Sequence, residues 1–154
     1  MREKGKENTT AGFTLVELMI VIAIIALGGI MAAPRVADSY RAMRFDTISD
    51  QLVNDLRFAR TSAMNLNADI RVDFTGGVNY AITEVATGRP LRRRSYPESR
   101  SGWQINFAGG TKLFFNSQGL PHDGSNNSLG GNMTITGESG RTRVFTVYIT
   151  GMIR

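Results

Sequence analysis

The chain has 154 residues, 42% of them hydrophobic, no cysteine, and a formal net charge of +5. Setting aside a polar start and a long apolar run leaves about 120 residues, enough for one compact domain and no more. Without cysteine there is no disulfide framework, no thiolate metal site and no lipoprotein anchor. Charge is unevenly placed: Phe13 to Thr75 carries six Arg and seven Asp or Glu, whereas Gly76 to Arg154 carries eight Arg and one Lys against four acids. The basic second half suits a solvated face, or an acidic partner, nucleic acid or anionic lipid.

Residues 1–12 are polar and mixed in charge, with nothing to pack, and read as a disposable leader. From Phe13 to Ala33 the chain is apolar except for Thr14 and Glu17. About 20 apolar residues cross a bilayer as a helix, so this segment is expected to be transmembrane. Glu17 is the anomaly, because an intramembrane acid costs a few kcal/mol unless it is paired or protonated. A secretory signal peptide would share the basic start at Arg2, Lys4 and Lys6, but its apolar core is shorter and holds no acid. Charges flanking the run do not set orientation: three basic residues precede it, and Arg35, Arg41 and Arg44 follow. Gly28-Gly29 and Pro34 interrupt the run, and the proline predicts a bend between Ile30 and Ala33.

Residues 34–67 read as an amphipathic helix. Phe45, Ile48, Leu52, Leu56, Ala59, Ala63 and Leu66 fall on one stripe, opposite Asp46, Asp50, Asn54, Arg57 and Arg60. The helix is expected to end at Asn65-Leu66-Asn67. From Asp69 the period becomes two: Ile70, Val72 and Phe74, a Gly76-Gly77 turn, then Val78, Tyr80 and Ile82 predict a hairpin. Arg89, Arg92, Arg93, Arg94 and Arg100 lie among prolines, as a basic loop or a poorly paired edge strand. Trp103, Ile105 and Phe107 predict a strand that turns at Gly109-Gly110 and pairs with Leu113 to Phe115. Residues 116–131 read as a mobile loop with little core, and His122 within it as an exposed histidine. Met133 and Ile135, and then Val144 to Ile149, predict the last strands. One long helix followed only by strands is α+β, with an antiparallel head over 68–154 as one sheet or two small ones.

Gly12-Phe13-Thr14-Leu15-Val16-Glu17 resembles the prepilin peptidase site of type IV pilins and type II secretion pseudopilins. The resemblance implies cleavage between Gly12 and Phe13, N-methylation of Phe13, and a helix-kinking role for Pro34. It implies that Glu17 pairs with the terminal amine of a neighbouring subunit or helps place the methylation. It also implies a cytoplasmic N-terminus, a single pass through the bacterial inner membrane and a periplasmic head that is extracted into a filament. Partners are then the prepilin peptidase and other pilins or pseudopilins, with no cofactor. Within the superfamily the head resembles the GspH/FimT branch. The matching stretches are Ala59-Arg60-Thr61-Ser62-Ala63, Phe114-Phe115-Asn116-Ser117-Gln118-Gly119 and the ending Val147 to Arg154.

No constellation for catalysis, metal or phosphate binding is present, so the chain reads as a non-enzymatic minor pseudopilin or pilin. The alternative is a minor pilin that grips DNA. Some FimT-type proteins use a Gly-Arg-x-Arg motif for this; Gly140-Arg141-Thr142-Arg143 matches it in letters, and the ending at Arg154 matches it in position. Arg92, Arg93 and Arg94 would add phosphate contacts. A plain membrane-anchored periplasmic domain is a third reading.

Overall fold

A computed structural model describes residues 13–97, 102–138 and 140–154, with backbone alone for residues 29–34. The leader, residues 1–12, lies outside the described residues. The chain divides into two units, Met1–Ala42 and Met43–Arg154. One helix, α1, runs Leu15–Leu66 over 52 residues, so the apolar and the amphipathic segments belong to a single element. Pro34 sits inside α1; the bend expected there falls on residues whose side chains are outside the description. Among the described residues no helix is long and apolar enough to cross a membrane; the span expected over 13–33 takes in residues 29–34, whose side chains lie outside the description.

Both ends of α1 carry local signals. Thr14 is the N-cap: its Oγ1 accepts the N–H of Glu17 at 3.2 Å, and its carbonyl accepts the N–H of Leu18. At the far end Asn67 takes φ of 49°, and the Ala68 N–H reaches back to the Ala63 carbonyl at 3.2 Å. That six-to-one bond is a Schellman ending, with asparagine in the left-handed position usually held by glycine.

The strands are β1 (Ile70–Phe74), β2 (Tyr80–Glu84), β3 (Pro90–Arg94), β4 (Gln104–Phe107), β5 (Lys112–Phe115), β6 (Pro121–His122), β7 (Gly131–Thr136) and β8 (Thr142–Val147). They form two antiparallel sheets, one in the order β3-β2-β1-β5-β6 and the other in the order β4-β7-β8. The helical stripe forms one core with both: Phe45, Ile48, Leu52, Leu56, Ala59 and Ala63 are buried together with Ile70, Val72, Ile82, Leu113, Phe115, Met133, Ile135 and Val147. Each large side chain removed from water in this way contributes about 2 kcal/mol of transfer free energy. Leu66, the last residue of the predicted stripe, is exposed because the helix ends there.

The β1-β2 hairpin forms as its alternation predicts, and β3 is the edge strand, with a register shift opposite Ile82 and Thr83. The pairing expected between β4 and β5 does not form. β4 pairs with β7 and β5 pairs with β1, so the turn after Phe107 carries the chain from one sheet to the other. Phe107, Leu113 and Phe115 are all buried from their separate sheets. Alternation alone says which side faces the core but not which strand lies alongside.

The 116–131 stretch also departs from expectation. Pro121 and His122 pair with β5 as a short outer strand, and both are buried. The loop beyond is shaped by Asp123, whose carboxylate accepts the N–H groups of Ser125 and Asn127. His122 is therefore not an exposed loop residue. Its ring lies 5.3 Å from that of Phe114, its Nδ1 accepts the N–H of Gly124, and its Nε2 lies 3.7 Å from Asp69 Oδ2.

Candidate functional site

The expected processing end begins at the first described residue. Phe13 is exposed, and Gly12 lies outside the described residues. Thr14 and Glu17 occupy the N-cap and third helical positions, the spacing of a capping box. A carboxylate in the first turn is favoured by the partial positive charge of the helix end. Beyond that, the Glu17 side chain is exposed and has no ion pair among the described residues. Its sequence role and its local structural role are compatible: the backbone caps the helix while the carboxylate points outward.

The basic residues separate into two places. Arg92 and Arg94, on edge strand β3, converge on Asp55 of α1. Arg94 Nε donates to Asp55 Oδ2 at 2.8 Å, Arg92 donates to Oδ1, and Tyr80 Oη donates to Oδ2 at 2.9 Å. One turn earlier on α1, Gln51 accepts the Tyr96 hydroxyl at 2.6 Å, and three residues after Asp55 the Phe58 ring lies 4.0 Å below the Arg92 guanidinium. Burial pushes the Asp55 carboxyl up, but the bonds from Arg94, Arg92 and Tyr80 outweigh it and hold it below its ordinary 3.8. Burial, reinforced by the nearby Tyr96 and Asp55, raises the Tyr80 hydroxyl, which stays protonated and able to donate. Arg92 and Arg94 thus strap an edge strand to the helix; only Arg93 of the three is exposed. Sequence reasoning missed Asp55, although an acid one position before Leu56 of the buried stripe was the available signal.

Arg141, Arg143 and Arg154 lie at the second sheet. The Arg141 guanidinium is 5.8 Å from the centre of the Phe45 ring. Arg143 pairs with Asp50 of α1 at 2.8 Å and lies 5.1 Å over Phe145. Arg154 exchanges backbone bonds with Thr146, extending the sheet beyond β8. The arginines of β3 and those of β8 sit on edges of different sheets, so the tertiary fold does not gather them into one basic patch.

What the fold does gather is three stretches far apart in sequence. Gly119 and Gly151 stand in left-handed turns on either side of the Arg60 side chain, with φ of 73° and 79°. A Cβ on Gly119 would lie 3.1 Å from Arg60 Nε, and one on Gly151 would lie 2.8 Å from Nε and 2.2 Å from the Gly119 carbonyl oxygen. Arg60 was placed on the polar face by its periodicity. It is instead half-enclosed, with Nε buried and without a hydrogen bond. Ala59 and Ala63, its neighbours on the buried face of the helix, are fully buried.

This arrangement of one long helix packed on two antiparallel sheets is found in known proteins. The model of the type II transport protein GspH matches residues 49–151, and the prokaryotic N-terminal methylation motif matches residues 8–33. The chain belongs to the GspH family. It is similar to the type II secretion system protein H of Xanthomonas campestris pv. campestris, 27% identical over 160 residues that cover 93% of this chain and 81% of that one. The fold is that of the type IV minor pilin FimU of Pseudomonas aeruginosa. One crystal form gives a TM-score of 0.61 at 17% identity, covering 73% of this chain and 88% of FimU; another gives 0.57 at 18%, covering 71% and 90%. The protein is thus a pseudopilin or minor pilin of the type II secretion and type IV pilus kind, a structural subunit and not an enzyme. Membership implies association with other pilins or pseudopilins in a filament, and a place in the cell envelope.

Proposed function

We propose that the protein is a minor pseudopilin or pilin of a short periplasmic filament. The prepilin peptidase cuts it between Gly12 and Phe13 and methylates Phe13. Residues 13–33 hold it in the inner membrane before assembly, with the N-terminus cytoplasmic and Pro34 easing a bend in α1. The observation that carries this reading is the order of matches on one continuous helix, the methylation motif over 8–33 leading into the GspH region at 49–151. The exposed Glu17, capped through its backbone and unpaired through its carboxylate among the described residues, supports a partner on another subunit. Opposite charges attract strongly where water is excluded, so the free amine of Phe13 on a neighbour would set axial register.

Processing and assembly are separable. With the peptidase co-expressed, mass spectrometry should find a methylated chain beginning at Phe13, and Gly12→Val should retain the leader. Glu17→Gln should still be cut yet be absent from sheared filaments. An uncut wild-type chain, or normal incorporation of the Glu17→Gln chain, would remove the corresponding half of the proposal.

DNA binding has less to rest on. Asp55 engages Arg92 and Arg94, and Asp50 engages Arg143, which leaves Arg93, Arg141 and Arg154.

A further inference from the structure

His122 is held in a way that suits only one charge state of its ring. The side chain is buried on the outer face of the first sheet, in register with Phe114 of β5, which in turn lies opposite Arg71 of β1. Nδ1 accepts the N–H of Gly124 at 3.1 Å, so it carries no proton, and the neutral ring has its proton on Nε2. Nε2 is buried and has no hydrogen-bond partner among the described residues. It faces Asp69, the residue before β1, whose Oδ2 lies 3.7 Å away, beyond hydrogen-bonding reach but close enough to attract a cation. The other charged groups around the ring are engaged or stand off it. The Asn127 amide and then the Ser125 N–H hold the Asp123 carboxyl below its ordinary 3.8. Arg71 is bonded to Asp73 at 2.7 Å, and Lys112 is two residues from Phe114 on β5. Residues 123–127 form a loop closed at its base by the His122–Ser128 bridge and by the bond from the Leu129 N–H to the Pro121 carbonyl at 3.0 Å. Gly124 of this loop lies directly on the Phe114 ring: a Cβ there would be 2.9 Å from it.

We propose that His122 is a proton-operated latch for the 123–127 loop. Imidazole is the side chain whose charge changes closest to neutrality. When the ring takes up a proton from water at Nδ1, the acceptor for Gly124 is gone and two N–H groups face each other. The cation is at the same time drawn towards Asp69 through Nε2, on the other side of the ring. Both changes separate the ring from Gly124. The loop keeps its own bonds to Asp123, which mild acid leaves in place because that carboxyl stays ionised, and it pivots on the 122–128 base as a unit. Phe114, half-buried beneath it, is uncovered together with the charged ring. The outer face of the first sheet then offers an aromatic and cationic patch in acid and a closed loop near neutrality. The inference concerns the head and stands apart from the processing of the N-terminus.

The test follows the isotope-labelled full chain in mild detergent by NMR from about pH 8 to about pH 5. His122 is the single histidine of the chain, so one ring signal reports the proton while the Gly124 amide reports the latch. The two are expected to move with one midpoint. Hydrogen exchange at Gly124, corrected for the pH dependence of the intrinsic rate, should rise about tenfold on the acid side, the scale of one lost hydrogen bond. His122→Asn keeps a side-chain acceptor that does not titrate, and should hold Gly124 protected throughout. His122→Phe keeps a ring without an acceptor, and should leave Gly124 unprotected at both ends of the range. Asp69→Asn removes the charge that attracts the cation and should move the midpoint to lower pH. Circular dichroism checks that each variant is folded. A Gly124 amide that stays unchanged while the ring titrates, a ring that does not titrate while the head stays folded, or release of Gly124 by acid in His122→Asn would each overturn the proposal.

Discussion

Replacing Asp55 with alanine is expected to lower the stability of the head by about 3 kcal/mol, measured by urea unfolding with the single tryptophan, Trp103, as the probe. The carboxylate is almost completely buried and accepts from Tyr80, Arg92 and Arg94 at once. Its removal strands a buried phenol and two guanidinium groups beside Phe58. The arginine side chains are 34% and 32% exposed, so water relieves part of their loss, and the lower end of the range for broken buried pairs applies. Asp55→Leu combined with Arg92→Leu and Arg94→Leu should cost less than Asp55→Ala alone, since no charge is then left unmatched. A larger loss in the triple variant would mean that the network is worth more than an apolar seam.

The same carboxylate gives the head an acid limit. Asp55 has a folded pKa below its ordinary 3.8, so its contribution is complete above about pH 4 and is lost as pH falls through the folded value. Asp55→Asn lacks this acid-sensitive part. The stability gap between wild type and Asp55→Asn should therefore be constant near neutrality and close at low pH.

Gly151→Ala is the second large effect, a loss of about 3 kcal/mol. A left-handed backbone costs an alanine about 1 kcal/mol, and overpacking adds roughly 1–3 kcal/mol. The decisive distance is 2.2 Å from the new Cβ to the Gly119 carbonyl oxygen, a backbone atom that moves only if the 116–120 turn moves. Gly119→Ala is the internal comparison. Its new Cβ meets Met64 Sδ at 2.9 Å and Arg60 side-chain atoms at 3.1 Å, and these flexible groups can yield. Thermal melts should therefore place Gly151→Ala well below Gly119→Ala. Equal melting temperatures would show that the two turns are not packed against each other.

These two sites divide what was legible in the sequence from what was not. The apolar run, Glu17, the amphipathic stripe from Phe45 to Ala63 and the alternation over Ile70, Val72 and Phe74 were readable because each is a local period or a local motif. The same holds for the helix end at Asn67 and the α+β class with an antiparallel head, while the choice between a basic loop and an edge strand at β3, and between one sheet and two, stayed open until the strands were paired. The letters around Arg60, Gly119 and Gly151 were visible separately, and so was the resemblance they carry. Only the tertiary structure decided that they meet, that Asp55 claims two of three consecutive arginines, that His122 is buried, and that β4 and β5 part company. In each case the deciding partner lies tens of residues away, and periodicity carries no information about distant partners. A strand's pattern fixes which side faces the core; which neighbour it takes, and which charge it meets there, depends on packing the whole chain at once.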